Sequence, residues 1–319
     1  MPKVVSIGEV LIDFVAQEIG TLEKVTSFTK YPGGAPANFA VGLARLGIDV
    51  AFIGKVGNDA FGNYLKDYLD KEGVITNYLS KGTSEKTTLA FVSLDENAER
   101  DFLFYRSNAA DLQLTLQDIK LDEITKCEYL HFGTVSLTNN PTQDTILQII
   151  KVCKDTGTKI CFDPNIRLSL WESESQLREN LEKVLPYVDI CYPSKEELFF
   201  VLKNTTSDEQ EAINLLMDKY PIDIVALKLG EDGCLIKKRD DFFLTIPAFE
   251  VPVIDTTGAG DGFNVGFIYS LATGKSLEVA GIFGNAVAAL VIQQKGAMSA
   301  LPTDAKLAAF LVEQRVKLP

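Results

Sequence analysis

The sequence predicts an α/β fold with a mainly parallel sheet and helices on both faces. Three observations carry that reading. Short, mainly apolar runs at residues 4–7, 50–53, 129–132, 160–162, 188–191 and 224–229 have strand length and read as strands buried on both sides. Amphipathic stretches at 63–71, 142–154 and 209–219 fall between them, so strand and helix patterns alternate. The alternation runs through most of 319 residues, enough for one large α/β domain or a large domain with a small appendage.

Taken along the chain, two segments break the rhythm. Residues 15–31 are polar and strand-like, and residues 87–105 read as a hairpin around Asp95-Glu96-Asn97. Two extended pieces inserted into an α/β core can form a small β-structure over one end of the sheet, either a lid or an ordinary edge extension. The expected division is a three-layer α/β/α domain from 1–14, 32–86 and 107–319, with a β lid from 15–31 and 87–106. After Asp255 the chain turns helical and rich in small residues. No internal repeat or linker interrupts it.

Bulk properties narrow the function. The net charge of −13 argues against a sequence-independent nucleic-acid binder, which needs a basic surface to displace counterions. It also means that an anionic ligand must be held by local backbone dipoles and a few cations. No charged stretch with a long apolar core opens the sequence, and no apolar run approaches a membrane span. The five cysteines, Cys127, Cys153, Cys161, Cys191 and Cys234, are widely spaced without a C-x-x-C, so neither a disulfide framework nor a zinc site is suggested. A cytoplasmic location is expected. His131 is the single histidine; this rules against a Ser-His-Asp hydrolase and a histidine-ligated metal, and a structural role is expected for it.

The strongest chemical signal is Asp255-Thr256-Thr257-Gly258-Ala259-Gly260-Asp261-Gly262-Phe263. Phe263, Phe267, Ile268 and Leu271 follow at helical spacing, so the glycine cluster opens a helix. Free N–H groups there, unshielded by side chains at Gly258 and Gly260, make an anion site. Asp261 falls in the first turn, where the helix dipole favours the ionised form. It can act as a helix-cap residue or take a proton from a hydroxyl attacking a bound phosphate. The likeness of Gly258–Phe263 to a dinucleotide fingerprint ends at Phe263, and Gly274-Lys275-Ser276 lacks the upstream glycine and strand of a P-loop.

A second glycine segment, Gly33-Gly34-Ala35-Pro36-Ala37-Asn38, precedes another helix, with Pro36 suited to its first turn. Gly33 and Gly34 allow close approach of backbone to a ligand, and Asn38 offers both a donor and an acceptor. Asp13 follows the first strand in GEVLID. An Asp and an Asn so placed suit neighbouring sugar hydroxyls, although each alone is also an ordinary turn or cap residue.

Together these segments resemble the ribokinase-like carbohydrate kinases of the phosphofructokinase-B type, and within them the fructokinases. GGAPANFAVGLARLG at 33–47 is similar to the family's first signature and DTTGAGDGFNVGF at 255–267 to its second. GEVLIDF, FIGKVGNDAFG, FLFYRSNAADL and FDPNIRLSLW resemble fructokinase sequence in particular.

The resemblance implies a Rossmann-like α/β/α domain with a small β lid, ATP as phosphoryl donor and Mg²⁺. Asp261 would be the base, with Gly258, Ala259 and Gly260 as the anion hole. Asp13, Gly33, Gly34, Asn38, Arg106 and Arg167 would lie at the sugar, and Lys228, Gly230, Gly233 and Asn285 at the nucleotide. Glu197 would act on Mg²⁺ through water, although Ser194 stands where Asn is frequent in the family. Some relatives bind a monovalent cation, for which Asp255 is the candidate, and a homodimer through the lid is a further expectation. The implied reaction is phosphorylation of a sugar primary hydroxyl, foremost fructose to fructose 6-phosphate. The alternatives are 2-keto-3-deoxygluconate kinase and a catalytically inactive binding protein on the same fold.

Overall fold

The computed structural model describes residues 1–94, 100–241 and 243–318. Among the described residues thirteen strands and eleven α-helices follow in chain order. The strands are β1 (Val4–Ile7), β2 (Leu11–Ala16), β3 (Phe28–Gly33), β4 (Val50–Val56), β5 (Ile75–Lys81), β6 (Leu89–Leu94), β7 (Arg100–Tyr105), β8 (Tyr129–Gly133), β9 (Lys159–Asp163), β10 (Ile190–Cys191), β11 (Ile224–Lys228), β12 (Cys234–Lys238) and β13 (Phe243–Ile246). The helices are α1 (Ala35–Arg45), α2 (Ala60–Lys71), α3 (Leu121–Ile124), α4 (Thr142–Asp155), α5 (Glu174–Val184), α6 (Lys195–Val201), α7 (Glu209–Lys219), α8 (Ala259–Ala272), α9 (Leu277–Ile292), α10 (Ala297–Ala300) and α11 (Asp304–Glu313).

A nine-stranded sheet in the order β13-β12-β11-β10-β9-β8-β1-β4-β5 forms the body. It is parallel from β11 through β5, while β12 and β13 add antiparallel at the edge. The apolar runs are continuous because successive residues enter different cores. Val4 of β1 and Phe52 of β4 join one core with Phe39, Phe263 and Phe267 of α1 and α8. Val5 and Ile53 join the other with Ile146 and Ile149 of α4. That is period-two alternation with both faces covered by helices. Among the described residues no helix is long and apolar enough to cross a membrane.

Three of the six sequence-predicted strands extend by a residue or more, the run at 4–7 keeps its bounds and the run at 224–229 ends one residue early. The run at 188–191 instead shortens to Ile190–Cys191, because Asp189 turns inward to accept the Ile160 amide at 2.9 Å and to pair with Lys154 at 2.8 Å. The hairpin of β12 and β13 was not foreseen. Its short strands flank a charged turn and alternate too weakly to stand out.

The small sheet has the order β3-β2-β6-β7. It begins at Leu11 rather than residue 15, so Asp13 belongs to one of its strands. The tip Asp95-Glu96-Asn97 lies outside the described residues. Phe14 stacks on Phe91 within the sheet, at 5.0 Å between centroids, and meets Phe61 of α2 edge-on at 5.8 Å.

A buried charge pair fixes the root of this sheet to the body. Arg106, just past β7, donates from Nε to Asp111 at 2.8 Å and from Nη1 to the Val135 carbonyl at 3.0 Å. Asp111 also accepts from Thr88, which precedes β6, at 2.5 Å. The entry into β6 and the exit from β7 are therefore tied to one ion pair. Removing one partner of such a pair strands the other without a counter-charge. Asp111→Ala should lower unfolding free energy by about 3–5 kcal/mol in urea titrations, and Arg106→Met/Asp111→Leu should recover much of it. A loss below about 1 kcal/mol, the scale of an exposed pair, would show that this tie is unimportant.

Candidate active site

The C-terminal ends of the parallel strands open onto a cavity of about 790 Å³, the usual ligand position in an open α/β sheet. Helix α8 points its N-terminus into it. Gly258 caps that helix in the left-handed region at φ 80, where a side chain would be strained, and a Cβ there would lie 2.6 Å from that of Ala297. Asp261 follows in the first turn. Its Oδ2 accepts from Asn38 Nδ2 at 2.7 Å, although the two residues are 223 positions apart in the sequence.

Asn38 sits on α1, while Asp13 comes from β2. Gly33 pairs with Leu11 at the start of that strand, and a Cβ on it would stand 1.9 Å from Asp13 Oδ2. Glycine at 33 therefore makes room for the carboxylate. Among the described residues Asn38 Oδ1 is buried with no hydrogen-bond partner, an orphaned acceptor that a ligand hydroxyl would satisfy.

The carboxylates at this end carry unusual protonation. Burial raises Asp13 to about 7, reinforced by the charge of Asp261. Burial likewise raises Asp261 to about 7; Asn38, Lys228 and Arg167 lower it, and Asp163 raises it. The ionised form expected from the helix dipole is thus opposed by desolvation and like charge. With two interacting groups near the same pH, protons leave in two steps belonging to the pair.

Across the cavity, Lys228 at the end of β11 pairs with Asp163 at the end of β9 at 3.1 Å, and Asp163 Oδ2 accepts from Asn264 of α8 at 2.8 Å. Burial alone would lower Lys228, but Asp163, Glu197 and Asp261 outweigh it and raise its pKa. Glu197 is raised by burial and lowered by Lys228. Its Oε1 accepts the Ile166 amide and its Oε2 the Ser194 amide, each at 2.8 Å. Ser194 is the cap of α6 and forms a reciprocal capping box with Glu197, which explains serine at that position.

Of the residues singled out from sequence, Asp13, Gly34, Asn38, Arg167, Glu197, Lys228, Gly230, Gly258, Ala259, Gly260 and Asp261 line this one cavity. Others stand back from its wall. Arg106 is held by Asp111. Asn285 donates to the Ile246 and Pro247 carbonyls at 3.0 and 2.9 Å. Gly233 turns β11 into β12, against the backbone of Ile246. Asp255 accepts from Thr257 N at 2.9 Å and Gly296 N at 3.1 Å and lines a neighbouring cavity of about 160 Å³ that also reaches Asp13. His131 is buried against Phe39 at 3.9 Å and bonds Tyr192 at 3.0 Å; burial pushes it down to about 3, so it stays neutral. Sequence reasoning missed Asp163, Asn264 and Glu9. The signal for Asp163 was a carboxylate ending a buried strand in FDPN, where an unpaired charge would be costly.

Residues 1–304 match the pfkB family carbohydrate kinase model. The chain belongs to that family. The kinase is 38% identical to Probable fructokinase-5 of Arabidopsis thaliana, over 95% of each chain. It is similar to the structure of an uncharacterized sugar kinase from Pyrococcus horikoshii in complex with ATP, with 36% identity, TM-score 0.86 and 96% and 97% of the two chains covered. A fructokinase from Vibrio cholerae, in its fructose, ADP and calcium ion bound form, superposes with TM-score 0.88 at 33% identity, covering 98% of this chain and 99% of that one.

The raised carboxylates give opposite pH trends to stability and ionisation. A carboxylate that titrates near 7 when folded, against about 3.9 unfolded, binds more protons in the native state between those values. Stability of the ligand-free kinase should therefore fall as pH rises from about 4 to 7 and then level off. Asp261→Asn, which cannot ionise, should raise the melting temperature at pH 8 by at least about 2 °C, the equivalent of about 1 kcal/mol in a chain of this size. A lower midpoint for the variant at that pH would contradict the burial argument.

Proposed function

We propose that this sugar kinase transfers the γ-phosphoryl group of ATP to the 6-hydroxyl of fructose, with Asp261 as the general base. The observation that carries the reading is the Asp261–Asn38 pair at the open N-terminus of α8, with Asp13 beside it. Asp13, Gly34 and Asn38 hold the sugar, Asn38 through its free Oδ1. Asp261 takes the proton of the 6-hydroxyl as the sugar oxygen bonds to the γ-phosphorus and the bond to ADP breaks. The backbone N–H groups of the Gly258–Gly260 turn receive the charge of the migrating group, where preorganised donors contribute most. Lys228 and Gly230 lie on the nucleotide side. Phe102 and Phe104 of β7 also line the cavity, which supports the small sheet acting as a lid that excludes water.

Glu197 suits a magnesium ion reached through water. Both its oxygens already accept a backbone N–H, yet a carboxylate retains further lone pairs. Among the described residues no group of three or more His, Cys, Asp or Glu side chains could hold a metal by itself, as expected for an ion that keeps its waters and binds through substrate phosphates. Bound there, the ion would neutralise phosphate charge. Asp255 is the candidate for a monovalent-cation ligand, tested by potassium dependence of kcat. A second copy is proposed to cover the outer edge of β7, where Leu103 and Tyr105 are 47% and 61% exposed; Leu103→Lys should then shift the sedimentation coefficient to that of a monomer.

Fructose is favoured over an acidic sugar because Glu9 and Asp13 line the cavity while Arg106 is neutralised by Asp111. Arg167, exposed at the rim, is the feature that favours 2-keto-3-deoxygluconate. A coupled assay of ADP release across both sugars decides: ketodeoxygluconate turning over far faster than fructose would overturn the substrate, and no turnover on any sugar would overturn the activity.

Two variants test the roles. Asp261→Asn keeps size and backbone donors but lacks a base, so kcat should fall about 10²–10⁴-fold with little change in either affinity. Near-normal kcat would remove Asp261 as base. Asp13→Ala should raise the sugar KM strongly, since charge-assisted hydrogen bonds of about 1.5–3 kcal/mol each are lost, while ATP binding persists. Unchanged sugar affinity by calorimetry would take Asp13 out of the site.

A further inference from the structure

We propose that Lys228 is a catalytic residue whose ammonium contacts the migrating phosphoryl group beside Gly260, and that Asp163, gripped by Asn264, is the positioning residue that holds it there. The inference rests on the kinase reading of the glycine turn.

Location is the first argument. An ideal Cβ on Gly260 would lie 3.4 Å from Lys228 Nζ, 3.9 Å from its Cδ and 4.0 Å from its Cε. The end of the lysine therefore runs along the turn that opens α8, within reach of any anion bound by the Gly258–Gly260 backbone. Donor capacity is the second. An ammonium has three donors, and among the described residues Nζ makes one hydrogen bond, to Asp163. The side chain lines the cavity, so capacity is left for a ligand.

Positioning is the third argument. Asp163 is 3% exposed, and each of its oxygens has its own partner, Lys228 on one side and Asn264 on the other. Asn264 lies on the same helix as Asp261, in the next turn. The base and the ammonium are thereby registered to one rigid element. The phosphoryl group spreads charge over its equatorial oxygens during transfer, so an ammonium fixed beside it gains most at the transition state. The charged and titratable groups acting on Asp261 are Asp13, Asp163, Lys228 and Arg167.

Steady-state phosphorylation of fructose is measured across pH for Lys228→Met and Asp163→Asn, alongside melting temperatures. Lys228→Met should lower kcat about 10²–10³-fold, the usual loss of one transition-state donor, with sugar KM nearly unchanged. Its acid limb in kcat/KM should move to higher pH, because the cation that favours the Asp261 carboxylate is gone. Asp163→Asn should give a smaller fall in kcat and an acid limb at lower pH, because a repelling carboxylate is gone. Ethylammonium should restore part of the activity of Lys228→Met and none to Asp261→Asn. Wild-type kcat in both variants, or limbs that move the same way, overturns the proposal and leaves the pair as a structural tie. If Lys228→Met does not fold, Asp163→Asn decides by its limb and kcat alone. An active Asp261→Asn would sink the base reading itself, whereas an inactive Asp261→Asn beside an active Lys228→Met sinks only this inference.

Discussion

Three of the carboxylates that line the cavity are coupled through Asp261, and the groups around them offset the repulsion. Asp13, Asp163 and Asp261 come from the small sheet, the end of a core strand and the first turn of a late helix. In a low-dielectric cleft they cannot all ionise freely. Lys228 and Asn264 compensate Asp163, and Asn38 donates to Asp261. Asp13 has the weakest compensation, and its pKa rises with that of Asp261. A carboxylate poised near neutral pH is better matched to proton transfer than one at the ordinary carboxylate value.

The electrostatics also account for how an acidic protein handles a polyanionic nucleotide. The long-range field of a chain with net charge −13 repels it, so it would have to be held by local features, of which the cavity offers the N-terminus of α8 and Lys228. The sugar end is built differently. Its hydrogen-bonding groups are carboxylates and a neutral amide, and Arg106, which could have drawn an anionic sugar, is held by Asp111 at the root of the small sheet. One half of the cavity is suited to hydroxyls and the other to phosphate.

The sheet root links fold to function mechanically as well. The Arg106–Asp111 pair lies where the chain enters β6 and leaves β7, so a rigid anchor sits behind the strand that carries Phe102 and Phe104. A lid needs such fixed points, with its motion confined to the part beyond them.

The sequence by itself determined the architecture and marked the two glycine segments that the fold brings to one cavity. Short apolar runs alternating with amphipathic stretches point to strands buried on both faces, and the two glycine clusters, each preceding a helical pattern, suggest anion and ligand sites through local backbone rules that need no tertiary contact. Asp261, Asn38 and Asp13 were legible for that reason. Tertiary structure alone decided what each charge faces. Asn38 and Asp261 meet across 223 residues of sequence, and Asp163 meets Lys228 across an intervening strand. Arg106 looked like a ligand-binding cation until Asp111 was seen to claim it, and Asn285 proved to fasten a backbone segment. Secondary structure is written in short-range periodicity. Protonation and partnership depend on burial and on distances between segments remote in the chain, so they exist only once the chain has folded.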